Sequence, residues 1–211
     1  MTTRFRALLE FACTLFIFLF ALPYLVVGQP LAPAELRLAA ARVSIAGTSN
    51  IHPFTASTTD VRLSRLVLAP VDGDRLQSAA KPGGVEAFEI AIRAASLTSP
   101  KEGLDKNMHK ALKVTEHRDI TFRMLRLEPA AAANSLTAVG TLKIAGVEKD
   151  VAVPLKVGVN ASTITAIGEL TLLMTDYGIT PPKAMLGMLK TDPKITVTFE
   201  IVLGLPQVTT F

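Results

Sequence analysis

The stretch Gly168–Phe199, GELTLLMTDYGITPPKAMLGMLKTDPKITVTF, holds two strand patterns separated by a segment of different period. In the first pattern Leu170, Leu172 and Met174 share one face and Glu169 and Thr171 the other. In the second, Ile195, Val197 and Phe199, continued by Ile201 and Leu203, alternate with Thr196, Thr198 and Glu200. Alternation of this kind describes a sheet with one apolar and one wet face. Between the two, Met185, Leu186, Met188 and Leu189 recur at helical spacing after Pro181-Pro182, which predicts a short helical lid. Apolar sheet faces joined by an apolar lid point to a pocket for a hydrophobic ligand.

Outward from this stretch the same period recurs. Toward the N-terminus, Val43 and Ile45 precede a polar knot, Thr48 to Phe54, and Val61, Leu63, Leu66 and Leu68 follow it. Pro70 to Gly84 reads as a loop, with its Asp72-Gly73-Asp74 and Pro82-Gly83-Gly84 turns. Phe88, Ile90 and Ile92 then face one way, opposed by Glu89 and Arg93. The period changes at Leu104, Met108, Ala111 and Leu112, which predicts one helix ending by Val114; Ile120, Phe122 and Met124 resume the alternation, opposed by Arg123. A hairpin is expected from Leu136 to Val157, its turn spanning Ala145 to Asp150. Ala111-Leu112-Lys113 leading to Ile120 resembles Met188-Leu189-Lys190 leading to Ile195, a weak internal repeat that any apolar helix followed by a strand would also produce. Eight or so strands, mostly joined as hairpins, favour an all-β antiparallel barrel with one short helix and a helical lid.

The first 28 residues differ in kind. Arg4 and Arg6 precede a charge-free run from Phe11 to Val27, ending in Val26-Val27-Gly28, the layout of a secretory signal peptide. An uncleaved anchor competes with this reading, but the run is short for spanning and Pro23 interrupts it. Cleavage after Gly28 removes two arginines and one glutamate, taking the net charge from +4 to +3, too mild to argue for nucleic acid. It also removes Cys13, the one cysteine, so the exported chain would hold no disulfide and no lipidation site. The expected organisation is a signal peptide over 1–28, a flexible leader over 29–35 and one domain over 36–205, periplasmic or secreted, with no stable membrane anchor.

Reactive motifs are sparse. There is no G-x-S-x-G elbow and no H-E-x-x-H, and His52, His109 and His117 are far apart in sequence, so no catalytic residue, metal or cofactor is expected. His52 reads either as a polar group at a barrel mouth or as a histidine bonded within its own loop. The methionines at 108, 124, 174, 185 and 188 divide evenly between core filling and the adaptable wall of a pocket for a long ligand.

Four segments carry a resemblance. Gly47-Thr48-Ser49-Asn50-Ile51-His52, Leu104 to Lys113 followed by Ile120-Thr121-Phe122, Gly140 to Val147, and Met174-Thr175-Asp176-Tyr177-Gly178-Ile179, in this order, resemble the YceI-like family of exported bacterial lipid-binding proteins, from about residue 36 to 204. The resemblance implies an extended, lipocalin-like antiparallel barrel holding a long polyisoprenoid chain, of quinone or polyprenyl type, in its lumen. A carrier rather than an enzyme is then expected, with Phe88, Ile90, Ile92, Phe122, Met124, Leu172, Met174 and Phe199 in the lumen and Met185 and Met188 in the lid. Two alternatives stand beside it: a lipid-modifying enzyme or stress factor acting at a polar mouth near His52, Asp176 and Tyr177, and a barrel filled by its own side chains. Each buried methylene contributes about 0.8 kcal/mol, so a long tail offsets an association cost on the order of 4–15 kcal/mol without any reactive group.

Overall fold

Ten strands and two helices make up the computed structural model, which describes residues 35–70, 73–184 and 188–206. The strands are β1 (Arg37–Ser49), β2 (Phe54–Thr58), β3 (Val61–Leu68), β4 (Val85–Arg93), β5 (Asp119–Pro129), β6 (Ser135–Ile144), β7 (Val147–Val159), β8 (Thr163–Leu173), β9 (Lys183–Ala184) and β10 (Leu189–Gly204). The helices are α1 (Arg75–Ala79) and α2 (Glu102–Ala111). The expected signal peptide and leader fall outside the described residues, except for Glu35.

Every pairing between these strands is antiparallel, and the sheet runs in the order β2-β1-β10-β8-β7-β6-β5-β4-β3, with β9 paired to β10 alone. The two ends of this path are consecutive in sequence. β2 pairs with β1 from Phe54 to Thr58, the chain turns at Thr59-Asp60, and from Val61 onward β3 pairs with β4. One bent strand therefore changes partner half way along and curls the sheet on itself. Beyond the bend, the first half of β1 has no ladder to β3, and that seam is filled by Leu38, Ala41, Val43, Val61, Leu63 and Leu66.

The register follows the alternation. Phe88, Ile90 and Ile92 of β4 lie opposite Met124, Phe122 and Ile120 of β5, all facing inward. On the outer face Arg65, Glu89, Arg123 and Thr141 form a row across β3 to β6, and the cross-strand pair Lys143–Glu148 closes at 3.2 Å. Such exposed pairs contribute about 0–1 kcal/mol, so the outer face sets the register more than the stability.

Three local expectations are corrected. The turn between β6 and β7 is only Ala145-Gly146, both at positive φ, 48° and 86°, and β7 begins at Val147 rather than after Asp150. A two-residue turn with both centres left-handed matches the strand twist, which a longer polar turn does not. Pro70 to Gly84 contains α1: the Asp74 carboxylate accepts the amides of Leu76 at 2.9 Å and Gln77 at 3.2 Å, and Leu76 and Ala79 are buried. The expected helical lid over Met185–Leu189 is not a helix where it is described: Met188 is a turn residue, Leu189 opens β10, and Leu189 and Lys190 pair with Ala184 and Lys183 of β9. Ladder hydrogen bonds to β9 prevail over the helical spacing of the apolar residues, and Met185 to Gly187 lie outside the described residues. The internal repeat fails with it, because its first half is the end of a helix and its second the start of a strand.

Candidate functional site: an apolar lumen

Curling the sheet leaves its inner face around a cavity of about 260 Å³. Each end is covered by a helix. At one end α1 packs Leu76 and Ala79 against Leu36 and Ile164; at the other, α2 packs Met108 against Ala56 and Leu97. From Ile164 to Leu172 the lining residues of β8 cover roughly 26 Å of strand at about 3.3 Å per residue. The void is thus long for its volume, the shape of a tube rather than of a chamber.

Phe88, Ile90, Ile92, Phe122, Met124, Leu172, Met174 and Phe199 all line this cavity. Met188 does not: it is 66% exposed on the β9–β10 turn, and Met185 lies outside the described residues. Sequence reasoning missed several walls, among them Val153 and Leu155 of β7, Leu104 of α2 with Leu112 at its C-cap, and Ala79 of α1 with Ala80 at its C-cap. The β7 residues were visible as an alternating strand, and the α1 residues were signalled by an N-capping aspartate ahead of an i, i+3, i+4 apolar set.

The lining is chemically uniform. Of its described side chains only Tyr177 and Thr191 carry a polar nitrogen or oxygen, and no Lys, Arg, His, Asp or Glu is among them. Among the described residues no large side chain falls below 2% exposure, although the strands face inward over most of their length. A barrel filled by its own side chains would bury several of them completely.

Near the α2 end the polar residues serve the loops. Ser49 Oγ donates to the carbonyl of His52 at 2.8 Å and accepts the His52 amide at 3.1 Å, and the His52 ring Nδ1 lies 3.2 Å from the carbonyl of Pro53. His52 is therefore bonded within its own loop. Asn50 ties that loop to the β9–β10 turn, donating from Nδ2 to the Met188 carbonyl and accepting the Lys190 amide, each at 2.8 Å. His109 Nε2 lies 2.8 Å from the Leu97 carbonyl, and His117 packs against Gly146. Asp176 is exposed while Tyr177 is buried, and no hydrogen bond among the described residues joins either of them to His52. Among the described residues the geometry offers a hydrophobic tube with no acid–base pair lining it.

A family model described as a YceI-like domain matches residues 39–203. The fold is similar to that of Burkholderia cenocepacia BcnA, at 18% identity over 80% of this chain and 99% of that one, with a TM-score of 0.64. It is similar also to a polyisoprenoid binding domain from Saccharophagus degradans implicated in plant cell wall breakdown, at 13% identity over 82% and 100%, with a TM-score of 0.61. A Campylobacter jejuni YCEI protein gives 17%, 86%, 93% and 0.56 in the same order. At these identities the likeness is one of fold. No curated protein matches the sequence.

Proposed function

This chain belongs to the YceI-like family, and we propose that it is an exported carrier of a long single-chain amphiphile of polyisoprenoid type, acting by binding rather than by catalysis. The observation that carries this reading is the lumen: a tube walled by apolar side chains, with a helix packed at each end, in a domain where none of the described large side chains is fully buried. Such a site gains free energy from each methylene it removes from water, about 0.8 kcal/mol, and is indifferent to the chemistry of what projects beyond it. The polyisoprenoid binding domain of similar fold supports the ligand class. Export, with residues 1–28 removed as a signal peptide and residues 36–205 forming the carrier in the periplasm or outside the cell, belongs to the same proposal and rests on the basic, apolar and small-residue pattern of the N-terminus.

Native mass spectrometry of protein purified without detergent, followed by solvent extraction, tests it. The expected result is one prenyl-chain lipid per protein and an N-terminus near Gln29. Protein that carries no lipid and takes up none from prenyl alcohol would overturn the carrier reading, and a chain starting at Met1 in the membrane fraction would overturn export.

A further inference from the structure

Three inward-facing positions of the wall have no side chain: Gly47 on β1, Gly140 on β6 and Gly168 on β8. The register sets Gly47 across from Phe54 and Ile195, Gly140 from Met124 and Val151, and Gly168 from Phe199 and Leu155. None of the three has the positive φ that asks for glycine; those are Gly73, Gly83, Gly146 and Gly178. Backbone conformation therefore does not explain them, and space does. A Cβ on Gly168 would overlap Phe199 Cζ and come 2.8 Å from Cε1; on Gly47 it would overlap Phe54 Cζ and come 2.8 Å from Cε1. On Gly140 it would lie 2.8 Å from Cε2 and Cζ of Phe122, and would also meet the Arg123 carbonyl. In each case the far edge of a phenylalanine ring rests where a side chain would stand. All three rings line the cavity.

We infer that these glycine–phenylalanine pairs set the bore of the lumen and so select the chain it accepts, a methyl-branched hydrocarbon in preference to a linear one. Folding a ring along the wall rather than toward the axis is a device for width. A linear alkyl chain is slender and does not need that width, whereas a chain bearing a methyl on every isoprene unit does. The three atoms nearest to a methyl group added at Gly168 all belong to side chains, Phe199 and Leu155 Cδ2, so the ring turns into the lumen while the strand is left in place. Gly140 lacks this property, because its added Cβ also meets backbone.

The inference rests on the carrier reading, and the experiment separates the two. Full-chain protein stripped of lipid is titrated with geranylgeraniol and with 1-hexadecanol, a branched and a linear alcohol of the same main-chain length, by displacement of a fluorescent apolar probe. The parent protein binds both and prefers geranylgeraniol. Gly168→Ala lowers that preference about tenfold, the scale of one misfitted methyl in an apolar pocket, and Phe199→Leu in the same chain restores it. A folded Gly168→Ala protein with an unaltered ratio overturns the inference, as does a lost preference that Phe199→Leu leaves lost. Phe199→Ala alone, which introduces no overlap, covers the case in which Gly168→Ala fails to fold: it must move the ratio further toward the branched alcohol, and an unmoved ratio overturns the inference. If the parent protein binds neither alcohol, the carrier reading falls and takes the inference with it.

Discussion

Tyr177 is clustered with Ile144, Ala145, Leu172, Met174 and Ile179, and its hydroxyl is the one buried side-chain polar atom among the described residues without a hydrogen-bond partner. Leaving a buried hydroxyl unpaired costs about 1–3 kcal/mol. Burial, and secondarily the charge of Asp176 beside it, pushes the phenol above its ordinary value of 10.0. As pH rises past that value the unfolded phenol releases its proton while the folded one keeps it, so the stability tied to Tyr177 is present below about pH 10 and lost above it. Tyr177→Phe is therefore expected to leave the melting temperature at pH 7 unchanged or raised, and to flatten the fall in stability above pH 10. Thermal melts of both proteins between pH 7 and 11 check this, and a steeper alkaline fall in the variant would sink it. The burial of Tyr177 was not legible in the sequence, where Met174 read as a lumen residue and Asp176 and Tyr177 entered only as part of an alternative polar mouth. The segment is one turn of 3-10 helix, whose three residues per turn set Met174 and Tyr177 on one inward face and leave Thr175 and Asp176 exposed.

At the scale of elements, period-2 alternation located most of the walls, because an inward-facing strand residue must be apolar whichever strands flank it. The helix α2 was legible for the same reason at period 3.6: Leu104, Met108, Ala111 and Leu112 fall on the lumen side. Where reading failed, helical spacing was too short to decide. Over Met185–Leu189 four apolar residues fit one helical turn, yet the described end of the segment is held in a ladder with β9. In α1 the opposite occurred: a five-residue helix hid among glycines and prolines, its apolar content limited to Leu76 and Ala79, with Ala80 at its C-cap. That helix closes one end of the tube, so its cap and its anchor have separable effects. Asp74→Ala removes the acceptor of two amides and is expected to lower unfolding stability by about 1 kcal/mol. Leu76→Ala opens a hole beside Leu36 and Ile164 and is expected to cost about 2–4 kcal/mol. Urea unfolding measures both, and equal losses would mean that α1 is held by its cap rather than by its burial.

At the scale of the molecule, nothing in local pattern announces that β2 and β3 are one strand with two partners, since the partners, β1 and β4, are set by contacts distant in sequence. Closure by that strand is what turns a half-wet sheet into a tube, and the tube has a consequence for how its ligand is held. Among the described residues its lining contains no ionised side chain, and the two polar ones are a threonine and a phenol pushed further from ionisation. Exposed ion pairs such as Arg62–Asp119 and Lys143–Glu148 lie on the outer face. Raising ionic strength from about 0.1 to 1 M shortens the screening length from about 10 to 3 Å and so weakens any attraction between a charged headgroup and exposed residues at the rim. It does not weaken apolar burial. The dissociation constants for a prenyl alcohol and for the corresponding prenyl phosphate are therefore both expected to stay constant, or to fall slightly, across that range. A carrier that instead recognised an anionic headgroup through rim lysines such as Lys183 and Lys190 would release its ligand as salt rises. Titrations of one lipid-free preparation at several NaCl concentrations distinguish the two, and a dissociation constant that climbs with salt would show that the rim, not the lumen, supplies the affinity.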